Sequence, residues 1–116
     1  MAGDAKSLSR KVFEIVKEEN NQLFLSAASG WEIAMLEQLD RVELPDSSQR
    51  FVPEAMKVLN VSPVPIGFTT AISAARLPLI HRDPFDRAII AEALKEKLTI
   101  LTKEKLFAEY DATILW

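Results

Sequence analysis

The 116-residue chain contains no cysteine and one histidine, His81. Without thiols there are no disulfides and no thiolate metal sites, which fits a reducing cytoplasm, and a single imidazole argues against a zinc centre of the usual histidine-rich kind. Long apolar runs are missing as well. None approaches the roughly 20 residues that a membrane span requires, so no membrane partner is expected and the location is read as cytoplasmic. Basic excess is also absent. A net charge of -3 gives no global attraction to nucleic acid, so any such contact depends on local basic patches or on cations held by acidic residues. No internal repeat, low-complexity tract or long linker divides the sequence. At 48% apolar and 27% charged residues it has the composition of a water-soluble globule, and its length suits a single domain over residues 1–116 that buries roughly two thirds of its unfolded surface.

Helical and strand patterns alternate along the chain. Leu8, Val12, Ile15 and Val16 recur at helical spacing within a helix expected from Ala5 to Glu19 and ended by Asn20-Asn21. Leu23 to Ala28 reads as a buried strand, and Ser29-Gly30-Trp31-Glu32 opens a helix through about Leu39. Pro45 breaks the chain. A helix near Pro53 to Leu59 follows, then a strand from Val61 to Ile66 whose two prolines place it at a sheet edge, and a helix from Thr69 to Arg76. Beyond a further helix after Pro84, Leu98–Thr102 is expected as a strand, Lys103–Glu109 as a helix and Thr113–Trp116 as a last strand. Such alternation implies an α/β domain with a mostly parallel central sheet flanked by helices, a three-layer arrangement.

The most informative segment is His81-Arg82-Asp83-Pro84-Phe85-Asp86-Arg87. Pro84 suits the first helical position, because the amide it lacks has no intrahelical partner there, and Asp83 suits the cap before it. Asp86 then faces the same way, one turn on. In a parallel sheet, ligands collect beyond the carboxyl ends of the strands, where the next helices begin. Glu32, Asp83, Asp86 and Glu104 all map to such junctions. Four gathered carboxylates repel one another unless a divalent cation neutralises them, and all-oxygen ligand sets suit Mg²⁺ or Mn²⁺. Local capping explains the same residues one by one: Ser29-x-x-Glu32 is a capping box, and Thr102 can cap the helix whose first turn holds Glu104. Trp31 and Phe85 beside these acids read as core side chains. His81, Arg82 and Arg87 can hold a phosphate or pair with neighbouring acids as solvated ions. Nothing in the sequence orients His81 as a general base.

Taken together, Ser26-Ala27-Ala28-Ser29-x-Trp31-Glu32-Ile33-Ala34, Leu77 to Arg87, Leu101-Thr102-x-Glu104 and Ile114-Leu115-Trp116 resemble the PIN-domain family, in particular the VapC-type toxins of bacterial toxin-antitoxin pairs. That resemblance implies a Mg²⁺-dependent endoribonuclease acting on RNA, usually dimeric and held inactive by a small antitoxin protein. Its metal-site acids fall on Glu32, Asp83 and Asp86, with Glu104 where the family usually has Asp after a threonine, here Thr102. The implied chemistry is metal-assisted phosphodiester hydrolysis.

Domains of this type open with a strand carrying a Leu-Asp-Thr-like motif, and Met1 to Ser9 instead resemble the segment after it; Asp4 does not match that aspartate. The fold is therefore expected to be N-terminally truncated, with exposed strand edges that favour a homodimer and with weakened catalysis. The alternative from another class is a catalytically inactive PIN-like module that dimerises or binds an antitoxin.

Overall fold

A computed structural model describes residues 9–116, so the start of the first expected helix, and Asp4 with it, lies outside the described residues. The described part is α/β with parallel strand pairing, as expected. Its chain order is α1 (Arg10–Lys17), β1 (Leu23–Ser26), α2 (Ala27–Gln38), α3 (Ser48–Leu59), β2 (Val61–Val64), α4 (Phe68–Arg76), α5 (Pro84–Glu96), β3 (Ile100–Leu101), a 3₁₀ helix (Lys105–Tyr110) and β4 (Ile114–Leu115). The strands form two parallel two-stranded ladders, β1 with β2 and β3 with β4. The chain packs as two compact units: Gln22–Pro65, and Ile66–Trp116 together with the segment up to Asn21.

In the unit Gln22–Pro65, Leu23 pairs with Val61 and Ser26 with Val64. Pro63 stands opposite Leu25, and a residue without an amide hydrogen is tolerated in β2 because this is an edge strand. β1 stops at Ser26, two residues short of the expected end. The Ser26 hydroxyl accepts a hydrogen bond from the Ala28 amide (3.1 Å) and so starts α2 at Ala27. Glu32 is therefore in the second turn of that helix, and the Ser29–Glu32 capping box is not formed. α3 starts five residues before Pro53, which lies inside it. Ser47 makes no side-chain cap; Glu37 of α2 caps the helix instead, accepting from the Ser48 amide (2.9 Å) and hydroxyl (2.6 Å). That carboxylate supports a first turn whose continuation Pro53 weakens by removing one amide donor.

In the other unit the core is Ile90, Ala93, Ile100, Phe107 and Tyr110, with Leu77, Ile89, Leu98 and Ile114 packed against it. Ile90 is fully buried, and a side chain of that size contributes about 1.5–3 kcal/mol on burial. α4 packs against α5, and the Thr70 hydroxyl donates to Glu92 across that contact (2.9 Å). The last helix is 3₁₀ and spans Lys105–Tyr110, shorter at its start than expected, because Glu104 takes an extended backbone conformation ahead of it.

Candidate metal centre

α5 begins as its sequence dictates. Asp83 is the N-cap, its Oδ1 accepting from the Phe85 amide (2.9 Å), Pro84 occupies the first helical position, and Asp86 lies in the first turn. The favourable field at a helix N-terminus stabilises both acids there. β3 delivers the second part of the site. Thr102 donates its amide to the Leu115 carbonyl, which extends the ladder by one bond, and its hydroxyl accepts from the Glu104 amide (3.1 Å). Glu104 is thereby fixed just beyond the carboxyl end of β3.

These two junctions converge on the buried imidazole of His81. Its Nε2 lies 3.0 Å from Asp86 Oδ2 and 3.0 Å from Glu104 Oε1. Among the described residues, His81, Asp86 and Glu104 form the one group of ligand-type side chains able to hold a metal ion, with donor atoms all within 4.8 Å of one another. The imidazole is also held from its other side. The Asp83 amide donates to Nδ1 (3.2 Å), and Phe107 packs edge-on against the ring with centroids 5.5 Å apart. A ring that accepts at Nδ1 carries its hydrogen on Nε2, which points at both carboxylates.

The loop that presents His81 is tied down by two buried side chains. The Arg87 guanidinium donates to the carbonyls of Leu77 (2.7 Å), Pro78 (3.0 Å), His81 (3.0 Å) and Ala75 (3.2 Å). It closes the carboxyl end of α4, where the last carbonyls have no helical partner. The Tyr110 hydroxyl accepts from the amides of Ile80 and His81 and donates to the Pro78 carbonyl (2.7 Å).

Four of the expected site residues fall around this centre, in different roles. Asp86 and Glu104 are brought together; Asp83 contributes a cap and an amide; Thr102 sets the backbone of Glu104. Glu32 is half-buried on α2 in the other unit. Arg82 is exposed. Arg87 is a correction: expected as a phosphate-binding or solvated cation, it is 6% exposed and committed to four carbonyls, so its charge is used in folding the loop. Trp31 is a second correction, since at 63% exposure it is a surface residue. Tyr110 is a residue that sequence reasoning missed, and for His81 it missed the place beside Asp86 and Glu104. His81 has Asp83 and Asp86 nearby in the chain, but the carboxylate that its Nε2 is hydrogen-bonded to, Glu104, lies 23 residues away.

Comparison with known proteins places the chain in a family. A family model described as PIN domain matches residues 4–113. Ribonuclease VapC16 of Mycobacterium tuberculosis is 36% identical over 66 residues, which is 57% of this chain and 45% of that protein. The chain thus matches less than half the length of that relative. No solved structure matches significantly. With the PIN model spanning residues 4–113, the chain belongs to the PIN domain family.

Proposed function

We propose that the chain is a single-domain endoribonuclease of the PIN toxin type, dependent on Mg²⁺ or Mn²⁺, acting in the cytoplasm on RNA and restrained by a small antitoxin protein. The observation that carries this is the convergence of Asp86 Oδ2 and Glu104 Oε1 on one point, each 3.0 Å from the same nitrogen. One imidazole N–H leaves most lone pairs of the two gathered carboxylates unused, and a hard divalent cation beside them takes oxygen donors of this kind and offsets their mutual repulsion. The donor set fits: oxygens for a cation that prefers oxygen, with a span, at most 4.8 Å, that an octahedral ion with bonds of about 2.1 Å can bridge after small side-chain shifts.

Asp86 and Glu104 would hold the cation, with Asp83, on the same helix start, as a further acid of the set. Bound there, it would supply Lewis-acid stabilisation to a phosphodiester and a more acidic water. Arg82, exposed beside the α5 cap, would meet substrate phosphate, and the Thr102 hydroxyl retains a hydrogen to donate. His81 holds its hydrogen toward the carboxylates and is not positioned as a base. Leu79 (85% exposed) and Phe68 (83%) favour a protein partner, an antitoxin or a second copy. The same observation supports the rival function, an inactive module that uses the fold for binding alone.

Cleavage of single-stranded RNA during Mg²⁺ and Mn²⁺ titration separates the two. Metal-dependent cleavage by the wild type that is lost in Asp86→Asn supports the ribonuclease. If neither protein cleaves at any metal concentration, the binding module stands.

A further inference from the structure

We infer that His81 is the positioning residue of the Asp86–Glu104 pair: its Nε2–H holds both carboxylates in place from outside the coordination set, and the Asp83 amide fixes the ring tautomer that lets it do so. The inference rests on the proposed metal site and adds to it a residue that neither binds the cation nor touches substrate.

The geometry distinguishes this role from ligation. A histidine ligand offers a ring lone pair, and the nitrogen that faces Asp86 and Glu104 is Nε2. Freeing that lone pair would move the hydrogen to Nδ1, where it would meet the Asp83 amide hydrogen head-on across 3.2 Å. Two donors facing each other in this part-buried place cost the hydrogen bond and add repulsion. His81 is therefore held as a donor toward the carboxylates. Nε2 is hydrogen-bonded to Glu104 Oε1 (3.0 Å) and lies equally close to Asp86 Oδ2 (3.0 Å), so one ring nitrogen ties together an acid on the first turn of α5 and an acid beyond β3. Glu104 needs this most, because its side chain is about half exposed (49%) and a longer, freer carboxylate loses more rotamer freedom when fixed. The ring is itself set by Phe107 on its edge and by Tyr110 and Arg87 on its backbone. Outer hydrogen bonds to ligating carboxylates commonly control metal affinity by about 10–100-fold.

Because the chain has one histidine, its imidazole gives a single nitrogen spin system. The test pairs ¹⁵N–¹H imidazole spectra, which distinguish the two neutral tautomers from each other and from the cation, with calorimetric Mg²⁺ titration of wild type, His81→Ala and His81→Gln, all checked for folding by thermal melts. The expected spectrum shows hydrogen on Nε2 and none on Nδ1, both before and after Mg²⁺, with Nε2 moving in Asp86→Asn and Glu104→Gln. The expected titration shows affinity about 10–100-fold lower in His81→Ala and partly restored in His81→Gln, whose amide can donate to a carboxylate. Hydrogen on Nδ1, or loss of the Nε2 hydrogen on Mg²⁺ addition, overturns the inference, as does unchanged or tighter Mg²⁺ binding in a folded His81→Ala. A wild type that takes up no Mg²⁺ overturns the metal site instead. The metal-free spectrum then decides the carboxylate-holding role alone: Nε2–H coupled to both acids supports it, and Nδ1–H removes it.

Discussion

Replacing Arg87 by Ala isolates the contribution of the buried guanidinium. It removes four hydrogen bonds, one of them fully buried (to His81) and three part-buried (to Ala75, Leu77 and Pro78). A hydrogen bond from a charged donor contributes about 1.5–3 kcal/mol, and one whose acceptor water can reach after the change contributes nearer 0.5 kcal/mol. Counting the first in full and the other three at the lower figure gives a loss of about 3–4.5 kcal/mol. That is a large part of the 5–15 kcal/mol typical of a domain, and corresponds to a melting point lower by roughly 10 °C or more. Arg87→Lys keeps the charge but not the fork, and should recover less than half of the loss. Urea unfolding followed by circular dichroism measures both. A folded Arg87→Ala within about 1 kcal/mol of wild type would show that the carbonyls find water as readily as they find Arg87, and that the loop holding His81 is not built by this residue.

Tyr110→Phe keeps the core packing but strands the amides of Ile80 and His81, and should cost about 1–3 kcal/mol by urea unfolding. Glu37→Ala removes both bonds to Ser48 and should destabilise α3 by about 1 kcal/mol, as loss of an N-cap does, with faster amide exchange confined to its first turn. Asp83→Asn keeps a good N-cap, so its stability should stay within about 0.5 kcal/mol of wild type while RNA cleavage falls; unchanged cleavage would leave Asp83 as a cap alone.

The parts of this molecule legible in its sequence are those settled by neighbours in the chain. Asp83-Pro84-x-Asp86 specifies its own helix start through local sterics and one cap bond, and α5 begins where expected. The start of α2 shifts because Ser26 and Ser29 are equally competent caps by sequence, and the bond from Ala28 goes to Ser26. α3 starts early because the cap it uses is Glu37, 11 residues back on another helix, which no local pattern signals. Arg87 reads as a surface cation until the carbonyls of residues 75–81 close around it. His81 reads as unoriented for the same reason: Asp86, Glu104, Phe107 and Tyr110 meet it only in the folded chain. The pairing of strands into two ladders likewise depends on contacts that alternation alone does not encode.

The most direct test of the metal centre is the binding of Mn²⁺ followed by electron paramagnetic resonance in wild type, Asp86→Asn, Glu104→Gln and the double variant. The wild type should take up Mn²⁺ at a site that Mg²⁺ displaces, each single variant should bind more weakly, and the double variant should lose the site while retaining the wild-type fold. A double variant that binds Mn²⁺ as the wild type does would contradict the assignment of Asp86 and Glu104 as the residues that hold the cation.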